Sequence, residues 1–486
     1  MARIAVIGAG MGAMAAAARL AVAGHRVTVY ERSETYGGSL GRYERDGFAF
    51  DTGPGLLHLP AVYRDLFVKT GKRPLEQCVD MVQVNPAVRH LLPDYGIDVT
   101  LPGASHGGVA AALDQAFGPG SGDRWNGLLS RARDVWDATR RPLLEEPLHP
   151  GRPAALGTDP YPALRKSGLL RRRPPTLAEI ADRELGGALG ELLTGLVTEY
   201  GLDPATAPGS ATVLPYMEQT FGSWYVRGGM RALATAVYER CLERKVEFAF
   251  GAEVREVLAR EGRAAGLLLA DGTEVAADSV VCGIDPGQLP APSVPLPADG
   301  VPARGGPGGT SRFTLFLALR GARPAGTAHR TRLYSRGTAP DLTVLRPDDP
   351  ATRPDEEHEA VTVQAVCAPH GVIDWSEPSV ARPHAERLLE AAALVVPDLQ
   401  QRLLWHEART PVQVAQATGA VAGAVPLPAL AGAGGRLLYP ANSTALSGLY
   451  LAGGWAHPGG GLPHAGMTGA LVAGLIMEGA GFRGSQ

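Results

Sequence analysis

The first forty residues carry a glycine pattern that is typical of dinucleotide binding. Gly8, Gly10 and Ala13 follow the spacing Gly-x-Gly-x-x-Ala. They stand between an apolar segment, 3–7, and an alanine-rich segment, 11–23, which predict a strand and a helix. Gly10 would let the backbone approach a pyrophosphate, and the first N–H groups of the helix would face its oxygens. The pattern therefore predicts a phosphate-binding turn.

An acidic residue follows at the distance that such a site needs. Glu31 lies 21 residues after Gly10, at the end of a predicted strand, 26–30. A carboxylate at this position can accept hydrogen bonds from both hydroxyl groups of a ribose. The alternative, in which the glycines only make a turn and Glu31 only meets solvent, is the weaker interpretation.

Three further features favour FAD over a nicotinamide dinucleotide. The pair Gly37-Gly38 and the segment 51–55 would suit a second pass of backbone along a long cofactor. Val254 lies in a predicted β-meander, 246–285, where the backbone could pair with an adenine edge. The C-terminal strand, glycine-rich turn and helix, 448–477, can aim N–H groups at the C2 carbonyl region of a flavin. Such donors would stabilise the negative charge of the reduced cofactor.

The order and separation of these motifs resemble one known family along nearly the whole chain. It is the phytoene desaturase (carotenoid dehydrogenase) branch of the flavin amine oxidase superfamily. The most specific match is His457-Pro-Gly-Gly-Gly461, because this turn separates the branch from ordinary amine oxidases. The other matching motifs are Val6-Ile-Gly-Ala-Gly10, Glu31-Arg32, Gly37-Gly38, Gly47-Phe-x-Phe-Asp-x-Gly-Pro54, Tyr225-x-x-Gly-Gly-Met230 and Leu449-Tyr-Leu-Ala-Gly-Gly454.

The resemblance implies an α/β, two-domain flavoprotein of the glutathione-reductase and amine-oxidase type. A Rossmann-like FAD domain would be assembled from 1–100, 216–290 and 410–486, and an α+β substrate domain from 101–215 and 291–409. We expect FAD to be held without a covalent bond, because no cysteine follows Cys367. The residues implied to contact FAD are Gly8, Gly10, Met11, Gly12, Glu31, Arg32, Gly38, Ser39, Gly53, Pro54, Gly55, Val254, Gly453, Gly454, Gly461, Leu462 and Met467.

The chain departs from the family pattern at positions that bear on the substrate. The family usually has arginine where this chain has Ser39, so Arg42 is a candidate to replace that phosphate contact. His464 and His58 stand where the family tends to be apolar. Both are candidate general bases or substrate polarisers, because imidazole titrates near neutrality, and a purely structural role is the alternative. The departures favour a more polar substrate, such as a polyketide-derived polyene.

The resemblance implies an FAD-dependent oxidoreductase that acts on a lipophilic polyene or isoprenoid natural product. It would form or rearrange C=C bonds by hydride transfer to flavin N5. A redox-neutral, flavin-dependent isomerase or cyclase is the alternative. An amine oxidase is disfavoured, because such enzymes commonly hold a lysine near the flavin and no lysine follows Lys245. A prenyl-binding protein without flavin chemistry shares the architecture, but the intact FAD glycines argue against it.

Composition limits the remaining classes of partner. The net charge of −3 gives no indication of nucleic-acid binding, and the four scattered cysteines form no metal-binding pattern. Because the cysteines are scattered and form no Cys-x-x-Cys pattern, a reduced, cytoplasmic setting is the simplest interpretation. The segment 164–173 combines leucines with five positive charges and could touch an anionic membrane peripherally, with a solvated loop as the alternative. Nothing in the sequence indicates an oligomeric state.

The region that matches the family only loosely is assigned by apolar periodicity alone. Helices are predicted over 105–117, 124–140 and 176–200. Strands are predicted over 312–320 and 361–367, where β-branched and aromatic residues are frequent. These elements would form the substrate domain.

Overall fold

The computed structural model describes residues 1–103, 105–149, 155–162, 173–290, 294, 309–335, 337 and 339–484. Within them the helices are α1 (Met11–Val22), α2 (Ala61–Thr70), α3 (His106–Phe117), α4 (Ser121–Arg140), α5 (Leu177–Ile180), α6 (Gly187–Thr198), α7 (Val213–Phe221), α8 (Arg231–Glu243), α9 (Pro378–Ala392), α10 (Leu399–Arg402), α11 (Pro411–Thr418) and α12 (Leu462–Glu478). The strands are β1 (Arg3–Ile7), β2 (Arg26–Tyr30), β3 (Arg42–Arg45), β4 (Phe48–Asp51), β5 (Leu57–His58), β6 (Met81–Gln83), β7 (Val88–Leu92), β8 (Ile97–Leu101), β9 (Ser223–Val226), β10 (Glu247–Ala249), β11 (Val254–Arg260), β12 (Arg263–Leu269), β13 (Glu274–Ala276), β14 (Ser279–Cys282), β15 (Ser311–Arg320), β16 (Arg330–Leu333), β17 (Leu342–Leu345), β18 (His358–Cys367), β19 (Leu403–Arg409) and β20 (Leu449–Leu451).

A five-stranded parallel sheet contains both the first and the last strand of the chain. Its strand order is β10-β2-β1-β14-β20. The helix α1 connects β1 to β2, and its alanines pack in one apolar cluster with Val6 and Val29 of those strands. This is the predicted βαβ unit, and it belongs to a Rossmann-like α/β architecture.

The predicted meander over 246–285 is partly wrong. The strands β11, β12 and β13 form a three-stranded antiparallel sheet, as expected. However, β10 and β14 do not belong to it. The strand β10 pairs in parallel with β2, and β14 pairs in parallel with β1 and β20. Its sequence, Ser-Val-Val-Cys, is a short and largely apolar run, which suits a central strand that is buried on both faces.

A seven-stranded sheet forms the second large layer, with the order β19-β15-β18-β17-β16-β7-β8. One face packs apolar side chains against α9. On the other face, Phe316 packs with Phe48 and Phe50 of β4. The strands β7 and β8 join this sheet although they fall at the end of the segment 1–100 that was assigned to the cofactor domain. The domain boundaries stay a prediction.

The predicted helices at 105–117 and 124–140 are confirmed as α3 and α4, and the two predicted strands as β15 and β18. The predicted helix over 176–200 is instead broken at Gly186, because α5 continues as a π-helical turn over 181–185 and α6 begins at Gly187. Gly186 and Gly187 there have φ angles of 67° and 49°, which a right-handed helix does not tolerate and glycine adopts readily.

The membrane expectation falls on a segment that is not described. Of the basic stretch 164–173, the described residues include only Arg173. Every helix in the described part of the chain is too short or too polar to span a bilayer.

The C-terminal helix α12 packs directly on α1. A Cβ atom at Gly469 would lie 2.6 Å from the Cβ of Ala15 and 2.7 Å from the backbone nitrogen of Ala16. Non-bonded atoms do not approach so closely in a packed interior. Glycine at this position is therefore what lets the two helices touch.

We expect Gly469→Ala to lower the free energy of unfolding by about 1–3 kcal/mol, because the added methyl group forces α12 away from α1. The matched control is Gly127→Ala in the interior of α4, where the new Cβ would meet only Arg131 at an ordinary 3.8 Å. The control should gain about 0.5–1 kcal/mol, as alanine does over glycine in a helix. Urea denaturation followed by circular dichroism measures both, and equal stability of the two variants would contradict the packing argument.

Candidate functional site

The turn between β1 and α1 presents an open backbone surface. A Cβ atom at Gly10 would meet no atom within 4 Å. Among the described residues, no side chain caps the N-terminus of α1, where Gly10 is the preceding residue. Uncapped N–H groups at a helix start carry a partial positive charge and lack acceptors. The turn is thus a cradle of the kind that holds a pyrophosphate.

Glu31 stands at the end of β2, beside this cradle. Its Oε2 accepts a hydrogen bond from the backbone N–H of Ala9 (2.7 Å), and its Oε1 accepts one from the N–H of Ser33 (2.9 Å). These bonds fix the carboxylate beside the cradle, and there it would be available to the ribose hydroxyl groups of a bound dinucleotide. Val254 lies in an apolar cluster with Ile7, the last residue of β1.

The second glycine pair lies against the first. Gly37 forms a parallel bridge with Gly10, and its N–H donates to the carbonyl oxygen of Ala9 (2.8 Å). A Cβ atom at Gly38 would lie 3.1 Å from the Cα of Gly10. The backbone of 37–38 therefore runs beside the phosphate-binding turn.

The C-terminal turn reaches the same place from the other end of the chain. A Cβ atom at Gly12 would lie 2.9 Å from the Cα of Gly453 and 2.8 Å from the Cγ2 of Thr468. Residues 8–13 and 453–467 are therefore neighbours in space. A single cofactor can extend from the start of α1 towards the start of α12 only if these segments meet.

A buried amide holds the C-terminal turn in shape. The Nδ2 of Asn442 donates to the carbonyl oxygens of Leu451 (3.0 Å) and His457 (2.8 Å) and to Oγ1 of Thr468 (3.1 Å). A second contact fixes the turn to the neighbouring loop, because the N–H of Gly460 donates to the carbonyl oxygen of Leu427 (2.7 Å). The start of α12 is thus fixed by hydrogen bonds on both sides.

The helix α12 begins without a side-chain cap among the described residues. Gly461 precedes it with a φ of 107°, a conformation open to glycine. The carbonyl oxygen of Leu462 accepts a hydrogen bond from the hydroxyl of Tyr63 (2.9 Å), which fixes the first turn. Met467 is buried in a large apolar cluster that also contains Met217.

Other residues predicted to contact the cofactor already make contacts within the protein. The guanidinium of Arg32 donates to the carbonyl oxygen of Gln416 (2.6 Å). A Cβ at Gly454 would lie 2.6 Å from the Cγ of Pro426, so this glycine serves close packing. Met11 is buried in the apolar cluster around α1. Their roles towards a cofactor stay predictions.

A cavity opens between β4 and the seven-stranded sheet. Gly53 and Gly55 line it, as does Gln364 from β18. A side chain at Gly53 would collide with the carbonyl oxygen of Ser39. The segments 38–39 and 53–55, which are both predicted to contact the cofactor, therefore lie side by side. We call this space the sheet cavity.

Arg42 also lines the sheet cavity, but its hydrogen bonds are made to the protein. Its guanidinium donates to the carbonyl oxygens of Gly228 (2.7 Å) and Ala351 (3.1 Å). Arg42 would therefore have to give up these hydrogen bonds before it could contact a phosphate of the cofactor, as the sequence predicts.

A second cavity lies between α4, α7 and the segment 428–431. Its lining is mainly apolar and includes Trp136, Leu214 and Met217. His464, in the first turn of α12, reaches its wall. We call this space the histidine cavity. Its mainly apolar wall thus carries the imidazole of His464 at the start of α12, and Arg140 from α4 also lines it.

The imidazole of His464 is neutral at physiological pH. Burial lowers its pKa to about 4, with a smaller contribution from neighbouring His457. Its buried Nδ1 has no hydrogen-bond partner among the described residues. A neutral ring with a bare nitrogen can accept a proton from a bound molecule.

The two other conspicuous histidines have different surroundings. His457 lies wholly inside, where its Nε2 donates to the carbonyl oxygen of Glu146 (3.0 Å) and burial lowers its pKa to about 4. His58 is on β5, with Nδ1 3.4 Å from Oγ of Ser223. Burial lowers the pKa of His58, and the charges of Glu218 and Arg330 act on it in opposite directions. The described structure therefore brings His464 to a cavity and His58 to a polar cluster.

Two carboxylates that the sequence did not single out as functional organise the sheet cavity. Asp51 accepts a hydrogen bond from the N–H of Met230 (2.9 Å) at the start of α8, and burial raises its pKa to about 6. Asp349 accepts from the hydroxyl of Tyr225 (2.9 Å) and the N–H of Gly228 (2.6 Å). Asp51 belongs to a recognised motif, whereas nothing near Asp349 in the sequence signals its role.

Comparison with known proteins supplies independent evidence for the family and the fold of the chain. The sequence profile of the family described as flavin containing amine oxidoreductase matches residues 14–477. A 4,4'-diapolycopene oxygenase from Methylomonas sp is 28% identical over 504 residues, covering 98% of each chain. A hydroxyneurosporene desaturase from Rubrivivax gelatinosus is 28% identical over 498 residues, covering 98% of this chain and 93% of the relative. The solved structure of an oxidoreductase from Methanosarcina mazei covers 98% of this chain and 100% of its own, with a TM-score of 0.65 at 18% identity.

These matches confirm the predicted fold class, the resemblance to carotenoid desaturases, FAD as the cofactor and an FAD-dependent oxidoreductase as the kind of enzyme. The geometry fits FAD, because the cradle at Gly10 is open and Glu31 stands beside it. The individual contact residues stay predictions, and they can be tested one by one.

We expect Gly10→Val to fold but to purify without yellow colour. The side chain would fill the open space of the cradle and exclude the pyrophosphate, while meeting no protein atom near its Cβ. The absorbance ratio at 450 and 280 nm measures the FAD content. Thermal unfolding of the apoproteins, compared with wild type stripped of FAD, serves as the control for the fold. A variant that keeps full FAD content would contradict this location for the pyrophosphate.

Proposed function

The chain belongs to the flavin containing amine oxidoreductase family, and on that basis we propose that it oxidises a lipophilic polyene or isoprenoid-type natural product. The reaction would form or rearrange C=C bonds. Two curated relatives, each aligned over 98% of this chain, carry the names of a diapolycopene oxygenase and a hydroxyneurosporene desaturase. Those names support a polyene as the substrate class.

The observation that carries the proposal is the histidine cavity. Its mainly apolar lining suits a hydrocarbon chain, because burial of apolar surface is the main favourable contribution to binding such a molecule. The single imidazole at its wall comes from the first turn of α12. That turn follows directly on the glycine-rich segment that lies beside the start of α1.

The chemistry divides between cofactor and protein. Bound FAD supplies a hydride acceptor for one C–H bond of the substrate. The protein must hold that bond in place, exclude water and remove the proton from the neighbouring carbon. We assign the removal of this proton to His464, because its Nδ1 is buried and has no hydrogen-bond partner among the described residues. Loss of hydride from one carbon and a proton from the next leaves a C=C bond.

Anaerobic mixing tests the reaction type. We expect a polyene substrate of the relatives, such as hydroxyneurosporene, to bleach the 450 nm absorbance of the flavin and leave it bleached until an electron acceptor is added. An isomerase or cyclase would convert the substrate while the final flavin spectrum is unchanged. Converted product with oxidised flavin would therefore overturn the proposed net oxidation.

The role of His464 predicts a defined pH dependence. Its folded pKa of about 4 keeps the imidazole neutral at higher pH. The rate of flavin reduction should therefore stay level from pH 8 to 5 and decline as the pH falls through 4. We expect His464→Gln to be slower by about 10²-fold or more with unchanged FAD content.

The matched control is His406→Gln, which changes an exposed histidine on β19. Stopped-flow spectrophotometry should give it the wild-type rate and the wild-type pH profile. A His464→Gln enzyme as fast as this control would show that the proton goes elsewhere.

A further inference from the structure

Arg409, the last residue of β19, carries a half-buried positive charge that no carboxylate compensates in the described part of the chain. Burial lowers its pKa to about 10, so the guanidinium is still charged at neutral pH. Its Nη1 donates to the carbonyl oxygen of Thr52, whereas Nε and Nη2 make no hydrogen bond with the described residues. A partly desolvated cation without a counter-charge is costly. Arg409 is therefore suited to bind an anion that the chain does not provide.

The carbonyl oxygen that Arg409 contacts belongs to one of the segments predicted to hold FAD. Thr52 directly precedes Gly53, and a side chain at Gly53 would collide with the carbonyl oxygen of Ser39. The adjoining glycine pair, 37–38, runs beside the phosphate-binding turn. Only two lengths of backbone, 52–53 and 38–39, therefore separate the guanidinium from that turn.

The register of the seven-stranded sheet fixes the direction of Arg409. Residues that are paired directly across neighbouring strands project their side chains from the same face. One such row is Gln364–Thr314–Arg409, across β18, β15 and β19. Nε2 of Gln364 donates to the carbonyl oxygen of Gly53 (3.4 Å), next to the carbonyl of Thr52 that Arg409 contacts. Both ends of the row thus face the backbone of the predicted cofactor segment.

The helix α11 continues from Arg409 towards the ribose side of the predicted site. It begins at Pro411, and the carbonyl oxygen of Gln416 accepts a hydrogen bond from the guanidinium of Arg32 (2.6 Å). Arg32 directly follows Glu31, the carboxylate predicted for the ribose. In a bound dinucleotide the pyrophosphate lies between this ribose and the flavin. Residues 409–416 therefore extend along the part of the site that contains the pyrophosphate.

Two other arginines near these segments already use their donors. Arg42 donates to two carbonyl oxygens, as described above, and also pairs with Glu44 (2.6 Å). Arg231 donates to Oγ1 of Thr35 (2.5 Å) and to the carbonyl oxygen of Leu40 (3.2 Å). Each would have to break these bonds to bind a phosphate, whereas the β19 guanidinium has a free edge.

We propose that Arg409 binds the pyrophosphate of FAD together with the start of α1. The N–H groups of a helix start supply only partial positive charge, and a guanidinium adds a full one. Nε and Nη2 lie along one edge of the guanidinium and can donate to two phosphate oxygens at once, while Nη1 keeps its bond to Thr52. Arg409 would thus make the phosphate contact for which Arg42 was the candidate. The inference rests on FAD as the cofactor and is independent of the polyene chemistry.

Release of FAD from the purified holoenzyme tests this contact without turnover. Flavin fluorescence after dilution gives the dissociation constant of FAD, and displacement of FAD by ADP gives the inhibition constant of ADP. We expect Arg409→Gln to raise the dissociation constant at least about tenfold, as the loss of hydrogen bonds to a charged group implies. ADP contains the pyrophosphate without the flavin, so its inhibition constant should rise by the same factor.

Two further variants separate the charge and the geometry of Arg409 from general effects. Arg409→Lys keeps the charge but loses the paired donors, so its FAD affinity should lie between those of wild type and Arg409→Gln. The matched control is Arg320→Gln, which removes the same charge from an exposed position on the neighbouring strand β15. It should leave both constants unchanged. After FAD has been stripped, Arg409→Gln should melt no lower than wild type, because it removes a charge without a counter-charge.

The outcomes separate a phosphate contact from other roles of Arg409. Unchanged FAD affinity in Arg409→Gln would overturn the inference. A loss for FAD that ADP does not share would also overturn it, because the residue would then act on the flavin half. A lower melting temperature of the stripped variant would assign Arg409 to the fold instead. Absence of flavin reduction by every polyene tested would count only against the proposed function, and the binding constants would still stand.

Discussion

The site depends on one close contact, between the beginning of α1 and the turn that precedes α12. Gly12 can lie against Gly453 and Thr468 only because it has no side chain, since its Cβ would be within 3 Å of both. The contact brings the first and last strands of the chain into one sheet and sets two uncapped helix starts beside each other. An elongated, anionic cofactor is stabilised by both, since each helix start carries partial positive charge. The hydrogen bonds of Asn442 keep the second helix start in place.

The surroundings of this contact divide into an apolar part and a polar part. The histidine cavity is mainly apolar, and burial keeps its imidazole neutral. In contrast, Arg330, Arg332 and Glu218 form a buried group of charges on one face of the seven-stranded sheet. Buried ion pairs of this kind seldom stabilise a fold more than apolar side chains of the same size would.

The parts of the fold that sequence could predict are those set by local spacing. The βαβ unit follows from two glycines, an alanine-rich helix and an acid at Glu31, all within about thirty residues. The C-terminal turn was recognisable because His457-Pro-Gly-Gly-Gly461 is a compact motif. In contrast, β14 was assigned to the meander, because an apolar run does not reveal which distant strand it pairs with.

Long-range pairing also explains what the sequence did not predict in the site. For example, Arg332 is paired with Thr343 on one side and His90 on the other through the register of three strands, and no motif surrounds it in the chain. His464 could be singled out because it interrupts a pattern that is otherwise apolar. The cause of its low pKa, burial against α4 and α7, appears only once the helices are assembled.

The central claim is that the starts of α1 and α12 converge on one FAD molecule. A crystal structure of the yellow, purified protein tests it most directly. The account predicts electron density for the pyrophosphate within hydrogen-bond distance of the N–H groups of Met11 and Gly12, and for the isoalloxazine ring beside 453–462. Density for FAD elsewhere, or side chains filling the space next to Gly10, would contradict it.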